Sequence, residues 1–380
     1  MLNLDIIRNE KDLTKYFYIT YEIKSSESVY DAAWNISLGQ SIGNPTARSN
    51  FETQELIDNH CCVIIRNNNL KKRTGLVEIG FPLANIDFNT DGISQLLCMI
   101  MGGQTDINTI LKCRAIKIEI SDAIISTYFN KPKYGLSGIQ NKATAHNKPL
   151  FGSILKPKTG ITPSILLDMV KELCDGGTDF IKEDEILSNP AICRLEDRIE
   201  IISNYIATTN VVYAFCINSD PIHIINRANF VAENGGNGVH INVWSGLGSY
   251  KSVRDLNLPL WIHYQSSGSE VMCHPNNAFG YSWELLCQLA VWSGIDSIQA
   301  GMWGGYSTDS EDELRGIMKI LTDGNVVPVL SCGMTAELIQ PIVDKFNTRW
   351  LANVGGAVHS HPNGTTAGAK KIRDAIDSIK

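Results

Sequence analysis

Two short segments of the sequence place charged side chains at a spacing suited to chemistry on an anionic substrate. Lys156 and Lys158 are separated by one proline, and residues two apart in an extended strand point to the same side. Lys182, Asp184 and Glu185 follow an apolar Phe-Ile pair and bring a cation next to two carboxylates. The lysine pair needs an anionic partner, and adjacent carboxylates repel each other unless a cation or a proton relieves them.

The acidic residues of the second segment indicate a magnesium site. Asp184 and Glu185 supply the oxygen ligands that Mg²⁺ prefers, and such a site keeps water positions that substrate oxygens can replace. Lys182 has no lone pair as an ammonium, so it ligates a metal only after CO₂ has converted its amine into a carbamate. Without that modification Lys182 forms a salt bridge to Asp184, and the residues alone leave both interpretations open.

Other candidate residues follow apolar segments later in the chain. His263 ends one such segment, where either a catalytic or a structural role is compatible with its position. Ser331 and Gly333 follow a later segment. Gly355 and Gly356 follow the last one. Glycines in such loops expose backbone N–H groups, which favours phosphate binding.

The elements that position these residues follow a regular pattern from about residue 149 onward. Eight apolar, β-rich segments alternate with helix-like segments, which predicts a (β/α)₈ barrel. Catalytic side chains of such barrels lie at the carboxyl ends of the strands, where the candidate residues fall. A doubly wound open sheet is the alternative, but its glycine-rich dinucleotide motif is missing after the first strand. The strand-like segments are residues 150–155, 179–182, 211–217, 238–243, 260–263, 297–300, 326–330 and 350–354.

The first part of the chain has the order βαββαβ, which is typical of a ferredoxin-like domain. Residues 17–24 alternate apolar and polar side chains like a half-buried strand, and the apolar residues of 29–36 lie on one helix face. We therefore predict two domains. Residues 1–135 form an α+β ferredoxin-like domain, and residues 136–380 form a (β/α)₈ TIM barrel.

Composition excludes several classes of protein. Hydrophobic residues make up 43% and charged residues 19% of the 380 residues, which excludes a mostly disordered chain. The net charge of −7 argues against a general nucleic-acid binder. No apolar stretch approaches the roughly 18 residues of a membrane span, and the acidic start does not resemble a signal peptide. The ten cysteines, in a chain without a signal sequence, indicate reduced thiols, and we therefore expect a cytoplasmic protein. We also expect that it binds neither nucleic acid nor membranes.

The charged motifs occur in an order that resembles the ribulose bisphosphate carboxylase/oxygenase large-subunit family, and more closely its RuBisCO-like proteins. The resemblance extends from Tyr16 to Ala375. The similar segments are the metal motif 176–185 (GGTDFIKEDE), the first-strand motif 152–160 (GSILKPKTG), the barrel entry 134–139 (YGLSGI), and the phosphate loops 331–333 (SCG) and 354–362 (VGGAVHSHP).

The resemblance implies a ligand set and a set of roles. Lys182, carboxylated by CO₂, would hold one Mg²⁺ together with Asp184 and Glu185. A homodimer, or an assembly of dimers, is also implied. The implied catalytic residues are Lys156 in proton transfer, Lys158 at the substrate and the fifth-strand His263. The implied substrate- and phosphate-binding residues are Ser331, Gly333, Gly355 and Gly356.

Several positions depart from the carboxylases of that family. Tyr306 stands where they have a flexible-loop lysine, Gln299 where they have a histidine, and Tyr264 where they have an arginine. Met99 is near the position of an asparagine that reaches the partner's active site, and Gly103 is at the position of a lysine in the enolase-type members. These departures predict one phosphate site instead of two and no carboxylation of ribulose bisphosphate.

The predicted function is Mg²⁺-dependent formation of an enediolate from a phosphorylated ketose or keto-sugar acid. An isomerase or enolase outcome and a decarboxylase or transcarboxylase outcome both remain open. The alternative is a non-catalytic protein of the same fold that binds metal and phosphate. Because binding alone does not need a proton-transfer lysine, the two lysines at 156 and 158 favour an enzyme.

Overall fold

The chain divides into two compact units. A computed structural model describes residues 3–140, 147–307 and 309–379. The first unit combines residues 1–129 with 269–289, and the second combines residues 130–268 with 290–380. The first unit thus contains a segment that lies between barrel strands in the sequence, which the sequence pattern did not reveal. The expected domain boundary between residues 135 and 136 stays a prediction.

The first unit is built on a six-stranded mixed sheet with the order β1-β3-β4-β2-β5-β11. Its four central strands pair antiparallel in the order β3-β4-β2-β5, which is the order of a ferredoxin-like sheet and confirms the predicted fold class. The strands are β1 (Ile7–Arg8), β2 (Tyr16–Ser25), β3 (Val63–Ile65), β4 (Thr74–Pro82), β5 (Ile110–Glu119) and β11 (Phe279–Tyr281).

Helices pack against this sheet through apolar faces. The first helix buries residues Val29, Ala32, Ala33 and Ile36, and the hydroxyl of Ser28 caps its start. The helices of this unit are α1 (Val29–Gly39), α2 (Gln54–His60), α3 (Gly92–Ile100), α4 (Asp122–Tyr128) and α10 (Glu270–Cys273), with 3₁₀ turns at Leu83–Asn85 and Gly103–Asp106.

The second unit is a closed barrel of eight parallel strands, as predicted. The strand order around the barrel is β10-β12-β13-β14-β6-β7-β8-β9. The strands are short, largely apolar and mostly buried, as parallel strands covered by helices require. The strands are β6 (Leu150–Ile154), β7 (Phe180–Lys182), β8 (Val212–Cys216), β9 (Gly238–Asn242), β10 (Trp261–Gln265), β12 (Ser297–Gly301), β13 (Val327–Leu330) and β14 (Leu351–Val354).

Helices follow the barrel strands. The hydroxyl of Thr162 caps the helix after β6, with Pro163 in its first turn. Within the described ranges, no helix is long and apolar enough to cross a bilayer. The helices are α5 (Gly135–Gln140), α6 (Pro163–Asp175), α7 (Leu195–Ile206), α8 (Pro221–Glu233), α9 (Leu247–Asp255), α11 (Trp283–Trp292, crossing the division between the units), α12 (Glu311–Asp323), α13 (Ala336–Phe346), α14 (Gly356–His359) and α15 (Thr365–Asp377), with a 3₁₀ turn at Val243–Ser245.

A layer of apolar side chains fills the barrel interior. Leu150, Phe180, Val212, Trp261 and Leu351 belong to one buried cluster, and each lies at or near the start of its strand. Because side chains two apart along a strand face the same side, the inward positions at the strand ends remain for polar residues.

Candidate functional site

A cavity of about 480 Å³ is lined by residues at the carboxyl ends of the barrel strands and in the loops that follow. Eight of the ten residues predicted to form the site line it. The two others, Lys182 and His263, are fully buried. The eight lining residues are Lys156, Lys158, Asp184, Glu185, Ser331, Gly333, Gly355 and Gly356.

The predicted lysines and carboxylates form three ion pairs. Lys156 Nζ is 2.6 Å from Asp184 Oδ2, and Lys158 Nζ is 3.8 Å from the same oxygen. Lys182 Nζ is 3.5 Å from Glu185 Oε2. Asp184 is therefore paired with the lysines of the first-strand motif, and the buried Lys182 is paired with Glu185 instead of with Asp184.

Lys182 is an unusual lysine because its side chain is wholly buried. It donates a hydrogen bond of 3.0 Å to the carbonyl of Glu183. Burial lowers the pKa of Lys182, and the carboxylates of Glu185 and Asp184 offset this only in part. The lowered pKa increases the fraction of neutral amine, which is the form that reacts with CO₂.

The carboxylates suit a hard cation. Burial raises the pKa of Glu185, but the Lys182 ammonium and a hydrogen bond from Ser267 outweigh it and bring the pKa to about 2. Among the described residues, no three His, Cys, Asp or Glu side chains gather as a metal site. A metal ion held by the two carboxylates therefore needs a further oxygen ligand, and a carbamate on Lys182 would supply one. With that modification the donor set fits Mg²⁺.

The glycine loops after β13 and β14 lie in the cavity wall beside Lys156. Gly333 has a φ of +106°, and a Cβ there would lie 2.5 Å from the backbone nitrogen of Tyr306, so glycine is required. A Cβ on Gly356 would meet no atom within 4 Å, and one on Gly355 would be 3.5 Å from Lys156 Cε. Open glycine backbone next to a lysine is suited to an anion such as phosphate.

His263 lies deeper in the barrel than the residues that line the cavity and could touch a substrate there. Its Nδ1 is 2.8 Å from Ser297 Oγ, and its ring packs on Phe180. Burial and the nearby Lys182 lower the pKa of His263 to about 3, so the ring is neutral near pH 7. The predicted catalytic role of His263 stays a prediction.

The three positions at 264, 299 and 306, which the resemblance implies differ from the carboxylases, have different surroundings. The ring of Tyr264 stacks on Tyr250 of α9, so it faces the helix layer and not the cavity. Gln299 lines the cavity and donates to Cys332 Sγ at 3.6 Å. Tyr306 also lines the cavity and is 86% exposed. Lys156 and Lys158 are the cationic side chains among the described lining residues.

The sequence reading missed several lining residues. Gln265, Ser267, Cys332 and Asn353 all contribute to the cavity wall. The predicted fifth strand ended at His263, whereas β10 continues to Gln265. The alternation of inward residues along this strand could have identified Gln265, because it falls two residues after His263.

Glu183 has a structural role between the metal-motif residues. The guanidinium of Arg198 donates to both of its carboxylate oxygens, at 2.8 and 3.0 Å. The Tyr213 hydroxyl and the Cys216 N–H donate to the same carboxylate. This buried, fully bonded group anchors the segment that carries Asp184 and Glu185.

Comparisons with known proteins agree with the fold. The family model for the ribulose bisphosphate carboxylase large chain, catalytic domain, matches residues 135–380. A ribulose bisphosphate carboxylase of Methanocaldococcus jannaschii is 27% identical over 81% of this chain and 77% of its own. A 2,3-diketo-5-methylthiopentyl-1-phosphate enolase of Bacillus cereus is 28% identical over 93% of this chain and 89% of its own. The octameric ribulose-1,5-bisphosphate carboxylase/oxygenase of Pyrococcus horikoshii has the same fold, with a TM-score of 0.89 at 24% identity over 100% of this chain and 91% of its own.

Proposed function

Because the chain belongs to the ribulose bisphosphate carboxylase large-chain family, we propose that it is an enzyme that forms an enediolate from a small phosphorylated ketose or keto-sugar acid. The observation that carries this proposal is the 2.6 Å pairing of Lys156 with Asp184 in a cavity whose wall also contains Gly355 and Gly356. A proton-transfer group, an oxygen-ligand set and an anion-binding loop are the parts that such a reaction needs.

Lys182, Asp184 and Glu185 would hold one Mg²⁺ after CO₂ has converted Lys182 into a carbamate. The neutral amine attacks the carbon of CO₂ and releases a proton, and the lowered pKa of Lys182 supports this step. When bound, Mg²⁺ supplies Lewis-acid stabilisation of the negative charge that develops on a substrate oxygen.

Lys156 is the proposed proton-transfer residue. Asp184 holds the Lys156 side chain in the cavity. In its neutral form the Lys156 amine takes the proton from the carbon next to the substrate carbonyl, and the electron pair of that C–H bond moves to the carbonyl oxygen to form the enediolate. Lys158 is more exposed and lies near the same carboxylate, so it contacts the substrate from the rim. Proton transfer by a positioned side chain contributes about 10²- to 10⁴-fold to a rate.

A single phosphate group is proposed to bind at the glycine loops. Backbone N–H groups of Gly333, Gly355 and Gly356 and the hydroxyl of Ser331 would receive it. Loops after the seventh and eighth strands commonly form the phosphate site of such barrels.

The neutral lining residues are the reason to propose a substrate with one phosphate. Gln299 and Tyr306 carry no charge near neutral pH, and Cys332 raises the pKa of Tyr306 further. Tyr264 faces α9. A second phosphate would therefore have to be desolvated without a charged partner, and charge-assisted hydrogen bonds are the strong ones.

The fate of the enediolate is proposed to be return of the proton at another carbon. Curated relatives bear the names of both carboxylases and enolases, and the neutral residues at 299 and 306 favour the enolase or isomerase outcome. Formation of the enediolate by decarboxylation is the alternative. We also propose a homodimer or an assembly of dimers, in keeping with the octamer of the Pyrococcus horikoshii relative.

The test is exchange of a carbon-bound proton into deuterated water. Phosphorylated ketoses and keto-sugar acids are incubated with the protein, bicarbonate and Mg²⁺, and loss of a C–H signal is followed by proton NMR. We expect exchange with one substrate type, and loss of exchange in Lys156→Met and Lys182→Ala. Lys171→Ala, which changes a partly exposed lysine of α6, is the matched control. Tight binding of a phosphorylated sugar with no exchange by the unchanged protein would favour the non-catalytic alternative.

A further inference from the structure

A chain of hydrogen bonds connects the end of β10 to the Glu185 carboxylate. The amide nitrogen of Gln265 donates to Ser267 Oγ at 2.7 Å, and Ser267 Oγ donates to Glu185 Oε1 at 2.8 Å. Gln265 is 3% exposed, so water competes little for its amide. The other oxygen of Glu185 faces Lys182 at 3.5 Å.

The direction of this chain is fixed at the carboxylate end. An ionised carboxylate has no proton and only accepts, and the Glu185 carboxylate is ion-paired with Lys182. The single hydroxyl proton of Ser267 therefore goes to Glu185, and the oxygen of Ser267 must accept from Gln265. The amide of Gln265 is thus held with its NH₂ group toward Ser267.

A separate chain of hydrogen bonds in the barrel interior leads to His263. The indole of Trp261 can only donate, and it donates to Ser297 Oγ at 2.8 Å. Ser297 Oγ is also 2.8 Å from Nδ1 of His263.

We propose that Ser267 and Gln265 are positioning residues for the Glu185 carboxylate, and that they set how tightly the site binds a divalent cation. The role rests on the proposed function, because it presumes that Glu185 is a metal ligand. Ser267 holds one oxygen of Glu185 in place, so the carboxylate cannot rotate to give both oxygens to Lys182. Loss of a hydrogen-bond partner of a metal ligand lowers metal affinity by about 10- to 100-fold.

The test measures Mn²⁺ binding by electron paramagnetic resonance in bicarbonate buffer, with no substrate present. We expect Ser267→Ala to weaken binding by about 10- to 100-fold and Ser267→Thr, which keeps the hydroxyl, to restore it to within about threefold. Gln265→Met should weaken binding less than Ser267→Ala does. Ser266→Ala is the matched control, and the thermal midpoint of each variant reports whether it is folded.

The outcomes separate this role from the proposed function. Binding that Glu185→Gln abolishes and Ser267→Ala leaves unchanged would overturn the positioning role while the metal site stands. Equal weakening by the alanine and threonine variants would also overturn it, because a lost hydroxyl would then not be the cause. Failure of the unchanged protein to bind Mn²⁺ would overturn the metal site and this role together.

Discussion

Lys182 is the single residue on which the proposed metal site depends, because only its carbamate adds a third oxygen ligand to the two carboxylates. We predict that proton exchange rises on preincubation with bicarbonate and Mg²⁺, and that Lys182→Ala abolishes it. The measurement is the exchange rate with and without preincubation, with Lys171→Ala as the control. Full activity in rigorously CO₂-free buffer would contradict the prediction.

Tyr306 leads to a prediction about what the protein does not do. The resemblance implies that its neutral phenol takes the place of a lysine of the carboxylases, and losing such an electrostatic stabiliser typically costs about 10²- to 10³-fold in rate. We predict no fixation of radiolabelled bicarbonate into acid-stable product when ribulose bisphosphate and Mg²⁺ are supplied.

Restoring the charge alone should not rescue carboxylation. In Tyr306→Lys the second phosphate of a bisphosphate still meets the neutral Gln299, so fixation should stay at the level of a Lys182→Ala control. Turnover of the unchanged protein clearly above that control would refute the prediction.

At the scale of secondary structure, the glycines that begin the metal motif bring α6, β7 and α15 together. A Cβ on Gly176 would lie 2.2 Å from Ala369 Cβ and 3.2 Å from the carbonyl of Thr366. We predict that Gly176→Ala destabilises the protein by about 1–3 kcal/mol, because α15 must move away. The measurement is the urea midpoint of unfolding.

A second glycine in a helix provides the matched control for this change. A Cβ on Gly316, inside α12, meets no atom within 4 Å, so Gly316→Ala should stabilise by about 0.5–1 kcal/mol through helix propensity. A Gly176→Ala protein as stable as the unchanged one would show that the contact with α15 is not tight.

The elements also show what a single sequence can predict. The eight barrel strands lie within two residues of their predicted positions, since each is a short apolar run that its own residues define. The strand Phe279–Tyr281 was missed because it has three partly buried residues and takes its register from β5. Gln265 was missed for a related reason: its polarity suggested a loop, whereas pairing with β9 keeps it in the strand.

For the whole molecule, the first prediction concerns assembly. We predict that light scattering at micromolar concentration gives at least twice the 41.9 kDa of the chain, because the proposed active site needs a cover that excludes water. Dilution should lower the mass and the exchange activity together. A stable and fully active monomer would contradict the proposed dimer.

The second whole-molecule prediction concerns pH. Burial lowers the pKa of both His240 and His263, the latter to about 3. Both histidines are neutral in the folded protein, whereas in the unfolded chain each of them takes up a proton near pH 6.5. Below that pH the unfolded state binds more protons, so stability falls by up to about 1.4 kcal/mol per pH unit for each histidine. Above pH 6.5, neither histidine makes the stability depend on pH.

The pH prediction can be isolated by comparing variants. The free energy of unfolding, measured by urea titration, should fall between pH 7.5 and pH 5.5 by about 1 kcal/mol less in His263→Asn than in the unchanged protein. The exposed His274 provides a control, because His274→Asn should leave the difference in stability between the two pH values unchanged. An equal loss of stability in all three proteins would show that His263 does not remain neutral.

The strand Phe279–Tyr281 has a consequence for how this protein is made. Its partner β5 is synthesised well before it, and five of the eight barrel strands are translated in between. Until residue 281 leaves the ribosome, one edge of the nascent sheet is unpaired, and the Arg114 guanidinium lacks the carbonyls of Cys273 and Tyr281 to which it donates. An open edge of this kind invites pairing with other chains. Completion of the first unit is therefore delayed until more than half of the barrel has been synthesised, and during that interval the growing chain depends on protection from aggregation.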